Sequence, residues 1–194
     1  MKWISAALAL GGMLAVTSAL AQAPKSERIV GVIDKFDGRT VMAKSAKGEP
    51  LKLNLAGKVL VVRVEKASLA DIKDGDFIGS GAMPQPDGTQ KAVEVHIFAE
   101  SMRGTGEGFG PWTQPGSTMT NGTVGATVTG VSGPVITVKY KGGEQKIVVP
   151  PGIPIVKYVI GDGRALKPGA KFRVNAALKQ PDGSYNVRRI NVGP

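Results

Sequence analysis

The chain repeats itself. Gln85-Pro86-Asp87-Gly88 recurs unchanged as Gln180-Pro181-Asp182-Gly183, displaced by 95 residues. Other landmarks keep the same order: Gly31–Gly38 aligns with Ala126–Gly133, Lys47–Glu49 with Gly142–Glu144, and Phe77 with Phe172, all at 95. Between them Val61–Val64 meets Ile155–Tyr158 at 94, and Leu69–Gly75 meets Gly163–Gly169. So many correspondences in one order mark an internal duplication, which requires a fold built from two similar units.

Each copy carries one string of elements. Val30–Lys35 alternates apolar and polar residues as a strand does, Asp37-Gly38 turns it, and Thr40–Lys44 returns. Leu51, Leu53 and Leu55 alternate as a third strand, which Val59–Val64 either continues or carries toward the next element. Ser68–Lys73 has an N-cap residue and near-helical apolar spacing, enough for one or two turns. Phe77–Met83 and Ala92–Phe98 are the last two strands; Val93, Val95 and Ile97 are expected to face inward, and Glu94, His96 and Phe98 outward. Three strands, a short helix and two strands is the order of a five-stranded Greek-key OB barrel. The expected fold is therefore all-β, with a first barrel over 28–98, a Gly/Pro-rich ordered connector over 99–123 and a second barrel over 124–193.

The N-terminus reads as a secretory signal peptide over 1–21: Lys2 is positive, Ile4–Val16 is apolar or small, and Ala19-Leu20-Ala21 is an A-x-A cleavage site. That run is too short for a spanning helix, and no other apolar run approaches its length, so the expected location is periplasmic or secreted and the mature chain is not expected to span a membrane. With no cysteine, the exported fold must stand without disulfides. Formal charge is +10, and it is uneven. The stretch 22–98 holds 12 basic and 10 acidic residues, whereas 124–194 holds 11 basic and 3 acidic. That asymmetry favours a polyanionic neighbour of the second copy.

The connector has glycine at every second position from Gly104 to Gly110. It is neither a dinucleotide fingerprint nor a Walker loop, because the spacing is wrong for the first and no Gly-Lys-Ser/Thr closes the second. Phe109, Trp112 and Met119 are side chains that a solvated linker seldom keeps, and Pro111 and Pro115 stiffen it, so it is expected to lie folded on the barrels with Trp112 buried.

The segment HIFAESMRGTGEGFGPW…PGSTMTNGTV, with the PDG turns and LADIKDGDFIG, resembles small exported bacterial proteins of unknown function with tandem OB-like repeats. The resemblance spans the mature chain and covers His96, Glu100, Arg103, Gly104, Gly106, Glu107, Gly108, Trp112, Pro115, Gly116, Thr118, Met119 and Asn121. Members often have a histidine and an aspartate where this chain has Phe109 and Thr113. Some carry a metal-transporter label, but with no spanning helix expected beyond the leader a permease role is not expected here, and the missing histidine weakens a metal site.

With one histidine, His96, and no cysteine, a Cys-His dyad, a structural zinc site and a clustered-histidine site are excluded. No G-x-S-x-G elbow presents a serine. No enzymatic activity, cofactor or resident metal is expected. The expected function is a non-enzymatic binding or scaffold module whose basic copy, through Lys157, Lys171, Arg173, Arg188 and Arg189, meets an anionic envelope component (a lipid headgroup or polysaccharide) or an envelope protein. Nucleic acid is not the expected partner of an exported chain. The alternative is a small-ligand or metal-ion site at the connector, formed by His96, Glu100, Arg103, Glu107, Trp112, Thr118 and Asn121. Arg103 paired with Glu100 or Glu107 would instead make the connector a clasp.

Overall fold

The computed structural model describes residues 26–130 and 133–193, so the leader expected over 1–21 lies outside them. Twelve strands follow one another: β1 (Ser26–Phe36), β2 (Thr40–Ser45), β3 (Pro50–Lys66), β4 (Phe77–Pro84), β5 (Gln90–Ile97), β6 (Gly108–Pro111), β7 (Thr118–Gly130), β8 (Gly133–Tyr140), β9 (Gly143–Val148), β10 (Ile155–Ile160), β11 (Lys171–Lys179) and β12 (Tyr185–Val192). The helix expected at 68–73 is a single 3-10 turn, Leu69–Asp71, closed by Ser68 and Asp71 as a capping box. Val59–Val64 continues the third strand.

The strands form two closed five-stranded OB-like barrels, and neither follows the boundaries of the repeat. In barrel A, β1, β2 and β3 of the first copy close on β12 and β11 of the second. In barrel B, β4 and β5 of the first copy close on β9, β8 and β7 of the second. The self-contained barrels expected over 28–98 and 124–193 are therefore replaced by composite ones, with barrel B inserted into barrel A. A duplication makes this exchange inexpensive, because each copy offers the same alternation and the same partner edges to either three-strand unit. Ile33, Val41, Leu53, Val187 and Ile190 fill barrel A. Ile78, Val95, Val124, Ile136 and Val138 fill barrel B. At roughly 1.5–3 kcal/mol for each fully buried Val, Leu or Ile, these interiors supply most of the driving force.

The exchange also moves the charge. The strands and turns of barrel A, 26–66 and 171–193, carry 14 Lys and Arg against 6 Asp and Glu, a net of +8. Barrel B, 77–148, carries 5 against 5 and is neutral. Of the two barrels the composite barrel A is therefore the basic one, because the second copy's excess of 11 over 3 is divided between barrel A, barrel B and the β10 segment.

A local two-fold relation joins the barrels. The second half of β3 pairs antiparallel with β10, its own counterpart, so that Val64 faces Tyr158. On either side β12 runs parallel to β3, with Ile190 beside Val61, and β5 runs parallel to β10, with Val95 beside Ile155. Copy two breaks at Pro150-Pro151-Gly152, which cannot continue a strand, so β9 and β10 are separate where β3 is unbroken.

Strand pairing also corrects the sequence alignment in two places. Gly31 matches Gly122 rather than Ala126: a Cβ on Gly31 would overlap the Lys44 carbonyl, and one on Gly122 the equivalent Lys139 carbonyl. The β7–β8 hairpin of copy two is correspondingly longer. Phe172, paired with Val192, matches Ile78, paired with Ile97, rather than Phe77. A one-residue shift turns a side chain to the opposite face. Phe77 therefore leaves the barrel interior and joins Phe98, Met102 and Tyr158 between the barrels.

Candidate binding clefts and the connector

In β12, two residues rather than one separate the inward-facing Val187 and Ile190, and the register with β3 shifts there. The resulting bulge carries Arg188 and Arg189 to the outer face of barrel A. Beside it, the pairing of β11 with β12 jumps from Arg173–Asn191 to Leu178–Asn186. A cleft of about 590 Å³ lies over this gap. Arg173, Arg188, Arg189, Asn175, Asn186 and Asn191 line it, with Asn54 on the β3 side and no carboxylate in the lining. Arg189 Nε donates to Asn191 Oδ1 at 3.0 Å, and its guanidinium lies 5.3 Å from the centre of the Tyr158 ring.

A second cleft, of about 480 Å³, lies between the barrels. Its apolar side is Val30, Val32, Val64, Val156, Tyr158 and Phe172. Glu94, His96 and Lys171 are its polar groups, together with Arg173 and Asn191, which line both clefts. His96 points out of barrel B, as expected, and is buried by the opposing layer. Its ring stacks on Tyr158 at 5.1 Å and meets the Phe98 ring edge-on at 5.1 Å. Burial lowers the His96 pKa to about 4, with Arg189 and Arg173 adding to the effect, so the imidazole is neutral at physiological pH. Burial pushes Glu94 the other way, above the usual carboxylate range, opposed by Arg173 and Arg28. Glu94 Oε1 is 3.8 Å from His96 Nδ1, beyond hydrogen-bond distance. Glu94 and His96 correspond in the repeat to Arg189 and Asn191, and the fold brings both strands to the same junction.

The connector residues are strung along β4 and β7 and do not converge. Arg103 takes Glu100 through two bonds of 2.6 Å, donates to the Gly75 carbonyl at 2.9 Å and to Thr123 Oγ1 at 3.3 Å, and lies over Phe77. Glu107 accepts from the Lys141 backbone N–H at 3.0 Å. Thr118 donates to Gln90 Oε1 at 2.8 Å. Trp112 is half-buried rather than buried, laid across Gly81, where any Cβ would strike its ring. Asn121 donates to the Gly106 carbonyl at 3.0 Å, while its Oδ1 is buried without a partner beside His96, over Gly79. Among the described residues no three His, Cys, Asp or Glu side chains gather as a metal site.

Of the five residues expected to meet an anion, Arg173, Arg188 and Arg189 share the first cleft and Lys171 lies in the second. Lys157, on β10 between Glu65 and Ile97, lines neither. Sequence reasoning missed the four asparagines, because Asn54 belongs to the other copy and only the exchange of strands places it beside the rest. Among the described residues no helix is long and apolar enough to cross a membrane. Comparison with protein-family models, with curated proteins and with solved structures finds no match to this chain.

Proposed function

We propose that the chain is an exported, non-enzymatic binding module whose composite barrel holds an anionic component of the cell envelope. The observation that carries this reading is the arginine and asparagine cleft of barrel A, which has no carboxylate in its lining. Guanidinium forks bind carboxylate, sulfate or phosphate through paired N–H donors, and the amide side chains add donors without adding like charge. The net +8 of the surrounding barrel steers anions toward the cleft. The connector acts as a clasp, since Glu100, Glu107 and Thr118 are engaged within the protein. This argues against the alternative of a ligand or metal site there.

The test is equilibrium binding of an acidic polysaccharide and of anionic phospholipid vesicles to wild-type protein and to the Arg188→Glu/Arg189→Glu double variant. Wild-type binding should weaken as salt rises, and the double variant should lose it. Binding that survives the double reversal sinks the reading.

A further inference from the structure

The two-fold relation between the barrels exposes a difference in what covers them. With Gly31 matched to Gly122, Val30 and Val32 of β1 correspond to Asn121 and Thr123 of β7. In barrel B these positions are covered by the connector: β6 pairs along β7, Arg103 bonds Thr123, and Asn121 bonds Gly106. In barrel A the same positions are valines, each 39% exposed and opening onto the cleft between the barrels. Along the outer face of β1 the order is Arg28, Val30, Val32, Asp34, so the apolar character is confined to the mouth of that cleft.

We infer that the two adjoining clefts together take a single-chain anionic amphiphile, its carboxylate or phosphate head among Arg173, Arg188 and Arg189 and its hydrocarbon chain along Val30, Val32 and Val156. The head group's place rests on the reading proposed above; the chain's place rests on the slot. Continuity comes from Arg173 and Asn191, which line both clefts, so a head held by the arginines leaves its tail at the entrance of the slot. The slot's size falls within the range of small-molecule pockets, and its walls are apolar with few polar groups, as such pockets are. With His96 neutral, the slot's lining holds one carboxylate, Glu94, against the two cations Lys171 and Arg173, a balance that favours an anionic over a cationic head.

The experiment is calorimetric titration of the full chain with inorganic phosphate and with butyl, hexyl and octyl phosphate below their micellar concentrations. Affinity should rise about fourfold for each methylene added until the slot is filled. Val32→Asp should flatten that series, with Val30→Ser as a milder, uncharged second variant. Arg188→Glu should weaken all four probes alike. A flat series in wild-type protein that still binds phosphate overturns the amphiphile and leaves the anion cleft standing. A flat series together with a dimer broken by Val32→Asp overturns it in favour of a second copy covering the slot. A rising series that Arg188→Glu does not affect removes the head from the arginines and overturns both readings, as does a failure of every probe to bind.

Discussion

Val64 and Tyr158 face each other across the β3–β10 pair, and they are also each other's counterparts in the duplicated sequence. An isologous contact of the kind that joins two identical subunits is thus built within one chain. Divergence has made it asymmetric: the valine is half-buried, whereas the tyrosine supports the rings of His96 and Phe98 and lies under Arg189.

Removing that ring should loosen the junction of the barrels. Tyr158 is only 9% exposed, so Tyr158→Ala leaves a cavity against the rings of His96 and Phe98 and should cost about 3 kcal/mol in urea unfolding. Tyr158→Phe keeps the stacking and should cost well under half as much. Equal losses from the two variants would show that the hydroxyl, and not the ring, matters.

Gly31 and Gly122 should prove equivalent in stability as they are in place. At each, a methyl group would overlap a carbonyl of the neighbouring strand, and strand backbone cannot yield as a side-chain tip can. Gly31→Ala and Gly122→Ala should each destabilise by about 1–3 kcal/mol and by similar amounts. A neutral Gly122→Ala alongside a damaging Gly31→Ala would restore the alignment of Gly31 with Ala126.

The repeat, the strand order and the turns were legible because they depend on local pattern. Asp87 and Asp182, for example, cap identical turns through Thr89 and Ser184. Which strands close which barrel was not legible, since a duplication gives β5 and β12 the same claim on either unit. The true match of Gly31 was hidden for a related reason: both Gly122 and the Ala126 region can continue the alternation, and only the partner carbonyl distinguishes them. The site inherited this ambiguity. Arg173, Arg188 and Arg189 could be read from charge, but Asn54 joins them only through the parallel pairing of β3 with β12.

The clasp predicts local rather than global loosening. Arg103 holds Glu100, the Gly75 carbonyl and Thr123 from an exposed position. Arg103→Ala should speed amide exchange across 100–108 by about fivefold while the melting temperature barely moves. Arg103→Lys should resemble the alanine variant, because an ammonium cannot reproduce the fork. Unchanged exchange in Arg103→Ala would remove the clasp.

The acid limb of stability should carry the signature of His96. Its pKa falls from 6.5 to about 4 in the folded protein, first through burial and then through Arg189 and Arg173. Between those values the unfolded chain takes up a proton that the folded one refuses, so stability declines as pH falls from about 6.5 toward 4 and levels off below. The full loss from this group would approach about 3 kcal/mol. Glu94 has the opposite sign: its raised pKa makes the folded state the better proton acceptor, which offsets part of the decline at the acid end. His96→Gln, a neutral side chain at every pH, should therefore be less stable than wild type at pH 7 yet lose less on going to pH 4.5. Parallel pH profiles for the two proteins in urea unfolding would mean that His96 is solvated when the barrels close, and the packed junction around Tyr158 would have to be redrawn.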